Sequence, residues 1–127
     1  MIYGACVAGA VYLAYRSGGN QIKAAARFIA VSWLFSLQLW MLFDGDALTL
    51  SYMAVDAALA AAFYYMSRRS WFPAPLFFLH LMVLVFHFYI LLIDQSPFWM
   101  LAFLNRTFDL ELIYVGVCAL YRIRRLA

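Results

Sequence analysis

Five apolar runs separated by short polar breaks make up nearly the whole chain. They cover about residues 2–15, 21–43, 48–66, 73–93 and 98–122. A membrane-crossing helix takes about 20 mostly apolar residues, so the pattern predicts a compact bundle of five transmembrane helices with very short loops. The breaks carry turn residues: Arg16, Ser17, Gly18, Gly19 and Asn20; Asp44, Gly45 and Asp46; Ser67, Arg68, Arg69 and Ser70; Asp94, Gln95, Ser96 and Pro97. Pro73 and Pro75 open the fourth run, where a first helical turn tolerates their missing N–H groups. Trp71 and Phe72 precede it as an aromatic pair of the kind that sits at headgroup level.

The first run is short, about 21 Å as a helix, and rich in small residues. Gly4 and Ala8, and Ala5 and Gly9, form small-xxx-small pairs that let helix backbones approach closely in lipid. Packing within the chain is the commoner use of such a seam, and a dimer contact the other. No basic segment precedes this run, so it is expected to insert with its N-terminus already across the membrane rather than to be cleaved.

Composition strengthens the membrane assignment. Of 127 residues, 69% are hydrophobic and 12% charged, against about 25% charged in soluble domains. Such a chain cannot cover a water-facing surface, and its length leaves no room for a separate soluble domain. The whole of 1–127 reads as a single helical membrane domain. Cys6 and Cys118 lie far apart in apolar runs and are expected to be buried structural thiols.

The charges predict an orientation. Arg16, Lys23, Arg27, Arg68, Arg69, Arg122, Arg124 and Arg125 fall at alternate breaks and ends, and hence on one side. Asp44, Asp46 and Asp94 fall on the other. The positive-inside rule then places the N-terminus outside and the C-terminus in the cytoplasm, as a multi-pass protein of the cytoplasmic (inner) membrane. The net charge of +3 is thereby explained without nucleic acid. In a competing layout, residues 98–105 lie flat on the outer surface and Thr107 caps a new helix with Asp109 and Glu111 in its first turn. That leaves only an apolar stretch of about 15 Å against a ~30 Å hydrocarbon core, so one long helix is favoured.

Ionisable groups at membrane depth are costly and by default mark a site. Here they are Asp56, His80, His87, Arg106, Asp109 and Glu111, joined by Asn105. His80 and His87 are seven apart and share one helix stripe; Asp56 shares one with Thr49, Tyr52, Ala60 and Phe63. Asn105, Arg106 and Asp109 fall in one arc with Ala102 and Gly116, expected to face another helix, with Glu111 pointing elsewhere. Depth counting places Asp56, His87 and Arg106 in one layer, with His80 nearer the cytoplasm. Arg106 can balance only one of three acids. At least one carboxyl is therefore expected to be protonated, wetted, or paired with a histidinium or a bound cation.

No catalytic motif is present, and an enzyme is not the expectation. No cofactor is predicted. The histidines lie about 10 Å apart along the helix axis, too far to chelate one ion together, so a metal or haem through His80 or His87 would need ligands from elsewhere. The expected function is an oligomeric ion- or proton-conducting or pore-forming element built on the buried Asp/Arg/His layer. The alternative is a non-catalytic accessory or assembly subunit of a larger membrane complex, with structural charges. The expected partners are the lipid bilayer and further copies or subunits.

Overall fold

The structure, a computed structural model, describes residues 2–127; Met1 lies outside them. Five helices follow one another: α1 (Ile2–Arg16), α2 (Asn20–Leu42), α3 (Gly45–Ser67), α4 (Ala74–Ile93) and α5 (Phe98–Leu126). The expected boundaries hold to within a few residues. The largest shifts are at α3, which begins inside the Asp44-Gly45-Asp46 turn, and at α5, which continues through Arg124 and Arg125. Both have a simple cause. Asp46 in a first turn and arginines in a last turn oppose the helix dipole favourably, so these polar residues extend the helices rather than end them.

Three helices, α2, α3 and α4, are long and apolar enough to cross a membrane. They mark the chain as a membrane protein. At 15 residues α1 is about 22 Å long. The middle of α5 carries Arg106, Asp109 and Glu111. These two helices fall short of the same length and apolarity. Large apolar side chains such as Trp40, Met41, Leu42, Phe78, Leu92 and Phe98 point outward, far more apolar surface than a water-soluble monomer exposes.

The single domain read from the sequence is subdivided by its packing into two compact units. The first comprises α1, α2 up to Val31 and α5 from Phe108; the second runs from Ser32 to Thr107.

In the first unit, Val7, Ala10, Ala14 and Ser17 form the buried stripe of α1. The Gly4/Ala8 and Ala5/Gly9 seam is not that stripe. Gly4 is half-buried, Ala5, Ala8 and Gly9 are exposed, and a Cβ added at Gly9 would meet nothing within 4 Å. The expectation that the seam packs within the chain is corrected: the larger Val7 faces inward instead. Cys6 lies on the same outward side and Cys118 is half-buried, so neither is the fully buried thiol expected. Between α1 and α2, Ser17 Oγ donates to Ala14 O (2.7 Å) and accepts from Gly19 N (3.3 Å). Gly18 turns the chain with φ +69° and open space where a Cβ would be. Gly18→Ala is therefore expected to cost only backbone strain, about 1–2 kcal/mol, read as a lowered midpoint of unfolding in detergent. An unchanged midpoint would contradict the left-handed turn.

The second unit is built on the α3–α4 hairpin. Leu59, Ala60 and Phe63 on α3 face Leu76, His80 and Val83 on α4 as the buried stripes. Tyr64 and Phe77 pack ring to ring at 5.4 Å. Of the aromatic pair before α4, Phe72 is buried and Trp71 exposed. Asp94 ends α4 in the left-handed conformation (φ 52°), its N–H bonded to Ile90 O (3.0 Å), a role Asp tolerates better than most residues. Phe86 meets Trp99 and Phe103 edge-on at 5.5 and 5.3 Å, which seats the start of α5. Thr107 donates its hydroxyl to Phe103 O (3.0 Å). That is the back-bond of a threonine in mid-helix rather than a cap, so the separate helix of the competing layout does not form.

Candidate functional site

The α3–α4 hairpin brings together three of the ionisable groups singled out in the sequence. Asp56 Oδ1 lies 2.9 Å from His80 Nδ1, and Asp56 Oδ2 lies 3.6 Å from His87 Nδ1. One carboxylate thus stands between two imidazoles, within hydrogen-bond reach of the first and just outside it for the second. The side chains of Asp56, His80 and His87 are 14%, 3% and 15% exposed, so all three sit largely inside the unit.

Helix periodicity explains the convergence. Leu76, His80, Val83 and His87 form one stripe of α4, and Tyr52, Asp56, Leu59 and Phe63 one stripe of α3. The axial rise between the histidines misjudges their reach. His80 and His87 are about 10 Å apart along the axis, yet their rings lean towards each other and meet the same carboxyl from its two sides. They occupy different oxygens rather than a common point. Among the described residues no group of three or more His, Cys, Asp or Glu side chains forms a metal-binding set.

Each imidazole also lies against an aromatic ring of α3. Phe63, fully buried, stacks on His80 at 5.5 Å with an 18° interplanar angle. Tyr52 stacks on His87 at 6.4 Å and 23°, and its hydroxyl donates to Ser36 O of α2 at 3.5 Å. Tyr52 and Phe63 were legible as members of the Asp56 stripe but not as parts of a site. Their spacing from Asp56, four before and seven after, was the available signal, because it places one ring at each histidine.

The α5 groups stand differently. Asn105 and Arg106 are exposed and Asp109 is half-buried. Glu111 is 2% exposed and lies on the buried stripe of Thr107, Glu111, Val115 and Ala119. The inward arc was therefore assigned to the wrong side of α5: Glu111 turns in, and Asn105 and Arg106 turn out. Small residues at 102 and 116 misled, since Thr107 and Ala119 define the packed face. The partners that the structure places against Asp56 are imidazoles. Ser32 and Ser36 of α2 are half-buried and Gln38 is exposed.

Chemically, a carboxylate between two imidazoles can accept a proton from an imidazolium on one side and return it to a neutral imidazole on the other. Histidine is the side chain whose ordinary titration spans neutral pH. Comparison with protein-family models, with curated proteins and with solved structures found no match to this chain.

Proposed function

We propose that this protein conducts protons across a membrane through the relay His87–Asp56–His80. The observation that carries the reading is a single carboxylate held between two histidines on two helices that are each able to span a bilayer. A proton on His87 Nδ1 passes to Asp56 Oδ2. Rotation of the carboxyl brings that proton opposite His80, which accepts it at Nδ1 as the neutral Nε2–H tautomer, and the histidinium so formed gives up its Nε2 proton to water. The 3.6 Å gap at His87 means that a small ring movement makes or breaks the first step, which separates loading from transfer. Intramembrane Asp and His chains are the usual material of such relays.

The reading includes five spans, with the N-terminus outside and the C-terminus in the cytoplasm of an inner membrane, as the one-sided basic residues favour. It also includes an oligomer. Asn105 and Arg106 are exposed in the first third of α5, and a second copy or another subunit would spare them contact with lipid. The same exposure favours a second reading, in which the chain is an accessory subunit of a larger complex and Asp56–His80 is structural.

The two readings part on reconstitution. Purified protein in liposomes, driven by a potassium diffusion potential, is expected to take up protons well above protein-free liposomes. Uptake equal to that of empty liposomes, from protein whose helicity is intact, would remove the conducting role and leave the accessory one.

A further inference from the structure

The basic end of the first unit is organised in a way that proton transfer does not use. Arg16 ends α1, Lys23 and Arg27 lie in the first two turns of α2, and Arg122, Arg124 and Arg125 end α5. Contacts within the unit tie these ends together. Arg122 Nε donates to Ser17 O at 3.1 Å, and its side chain lies against Gly19, where an added Cβ would come within 3.2 Å of it. Lys23 Nζ and Arg27 Cζ sit 5.7 and 5.9 Å from the centre of the same ring, Tyr15. Arg16 lies over Tyr12 at 5.9 Å, with its guanidinium donating to the Tyr12 hydroxyl at 3.3 Å, and Arg125 lies over Tyr121 at 4.7 Å.

Five of these six cations lean on aromatic rings or backbone carbonyls, and none of the six meets a carboxylate among the described residues. The unit's acids, Asp109 and Glu111, precede Arg122 by 11 to 13 residues of continuous helix. That is about 16–20 Å of axial rise from the basic end of α5. The tyrosines hold the cationic groups near one another without neutralising them, and such rings favour the headgroup level of a bilayer. The first turn of α2 adds backbone N–H groups and the positive end of a helix dipole to the same place.

We propose that this end of the first unit is a headgroup site for an anionic phospholipid, with the phosphate received between Lys23 and Arg27 at Tyr15 and the start of α2. A zwitterionic lipid is disfavoured because none of these cations meets a carboxylate among the described residues that could take its ammonium group. Basic pockets between membrane helices hold anionic headgroups on the same physical grounds. The inference does not depend on the proton relay, which lies in the other unit.

The full-length protein in mild detergent would be offered equimolar phosphatidylglycerol and phosphatidylcholine, and the retained lipid counted by native mass spectrometry. The wild type is expected to prefer the anionic lipid by roughly tenfold or more, as two interfacial cations would give. Lys23→Gln/Arg27→Gln should bring the ratio near parity. Arg68→Gln/Arg69→Gln, which removes the same charge from the other unit, should leave the preference in place. Parity in the wild type, or equal loss in both double variants, overturns the proposal. So does full displacement of the lipid by millimolar inorganic phosphate, since the ligand would then be a soluble phosphate. If Lys23→Gln/Arg27→Gln loses helicity, the charge-keeping Lys23→Arg/Arg27→Lys and a salt series on the wild type decide. Preference must survive the former and fall several-fold from low to high KCl; a failure of either overturns it.

Discussion

Asp56→Leu is expected to destabilise the α3–α4 hairpin by about 3–5 kcal/mol, and the double variant Asp56→Leu/His80→Leu to recover most of that loss. The asymmetry follows from burial. Breaking a buried pair by removing one member costs that much because the other is left in a medium that solvates it badly, whereas replacing both with apolar side chains of similar size is often neutral. His80 is 3% exposed and 2.9 Å from Asp56, so the pair meets that condition. His80→Leu alone should cost less than Asp56→Leu, because Asp56 Oδ2 keeps His87 Nδ1 at 3.6 Å. The three variants and the wild type form a double-mutant cycle, read from reversible unfolding in mixed micelles. Additive losses would mean that the carboxylate and the imidazole do not feel each other. A double variant as damaged as Asp56→Leu would mean that the cost lies in packing against Phe63, which stacks on the His80 ring.

Much of the fold was legible because lipid imposes a coarse rule. A helix that crosses hydrocarbon must be apolar for nearly its full length, and all five helices fall on the apolar runs between the polar breaks. Which face of a helix packs inward was far less legible. Where both faces of a helix are apolar, the contrast that locates a buried stripe in a soluble helix is lost. On α1, Gly4, Ala5, Ala8 and Gly9 look like a seam, but Val7, Ala10 and Ala14 are buried. On α5 the small residues at 102 and 116 pointed to the arc of Arg106, whereas Glu111 lies on the packed stripe.

The site was legible where two periodicities agreed. His80 and His87 share a stripe at seven residues, Asp56 shares one with Tyr52 and Phe63, and the antiparallel hairpin brings the stripes together. The layer of Asp56, His87 and Arg106 was drawn by counting residues along each helix. Depth along a helix says how high a group sits and nothing about which neighbour its side chain turns to. Side-chain reach, likewise, is invisible in an axial rise, and it is reach that lets one carboxyl meet two rings.

Asp56→Asn carries the functional reading. The substitution keeps the size and the hydrogen-bonding shape of the side chain, so the amide can still meet His80 and His87 and the hairpin can still form. It replaces the carboxyl that stands between the imidazoles with an amide, which does not take up and pass on a proton. Transfer from His87 to His80 then has no intermediate carrier, and the rate should fall by about 100-fold or more, since losing an acid–base step typically costs 10²–10⁴-fold. The decisive measurement is the initial rate of proton uptake into liposomes holding wild type or Asp56→Asn at matched protein content and matched helicity. The relay predicts rapid uptake with the wild type and uptake close to that of protein-free liposomes with Asp56→Asn. Equal uptake by the two proteins would contradict it and take Asp56 out of the proton's path.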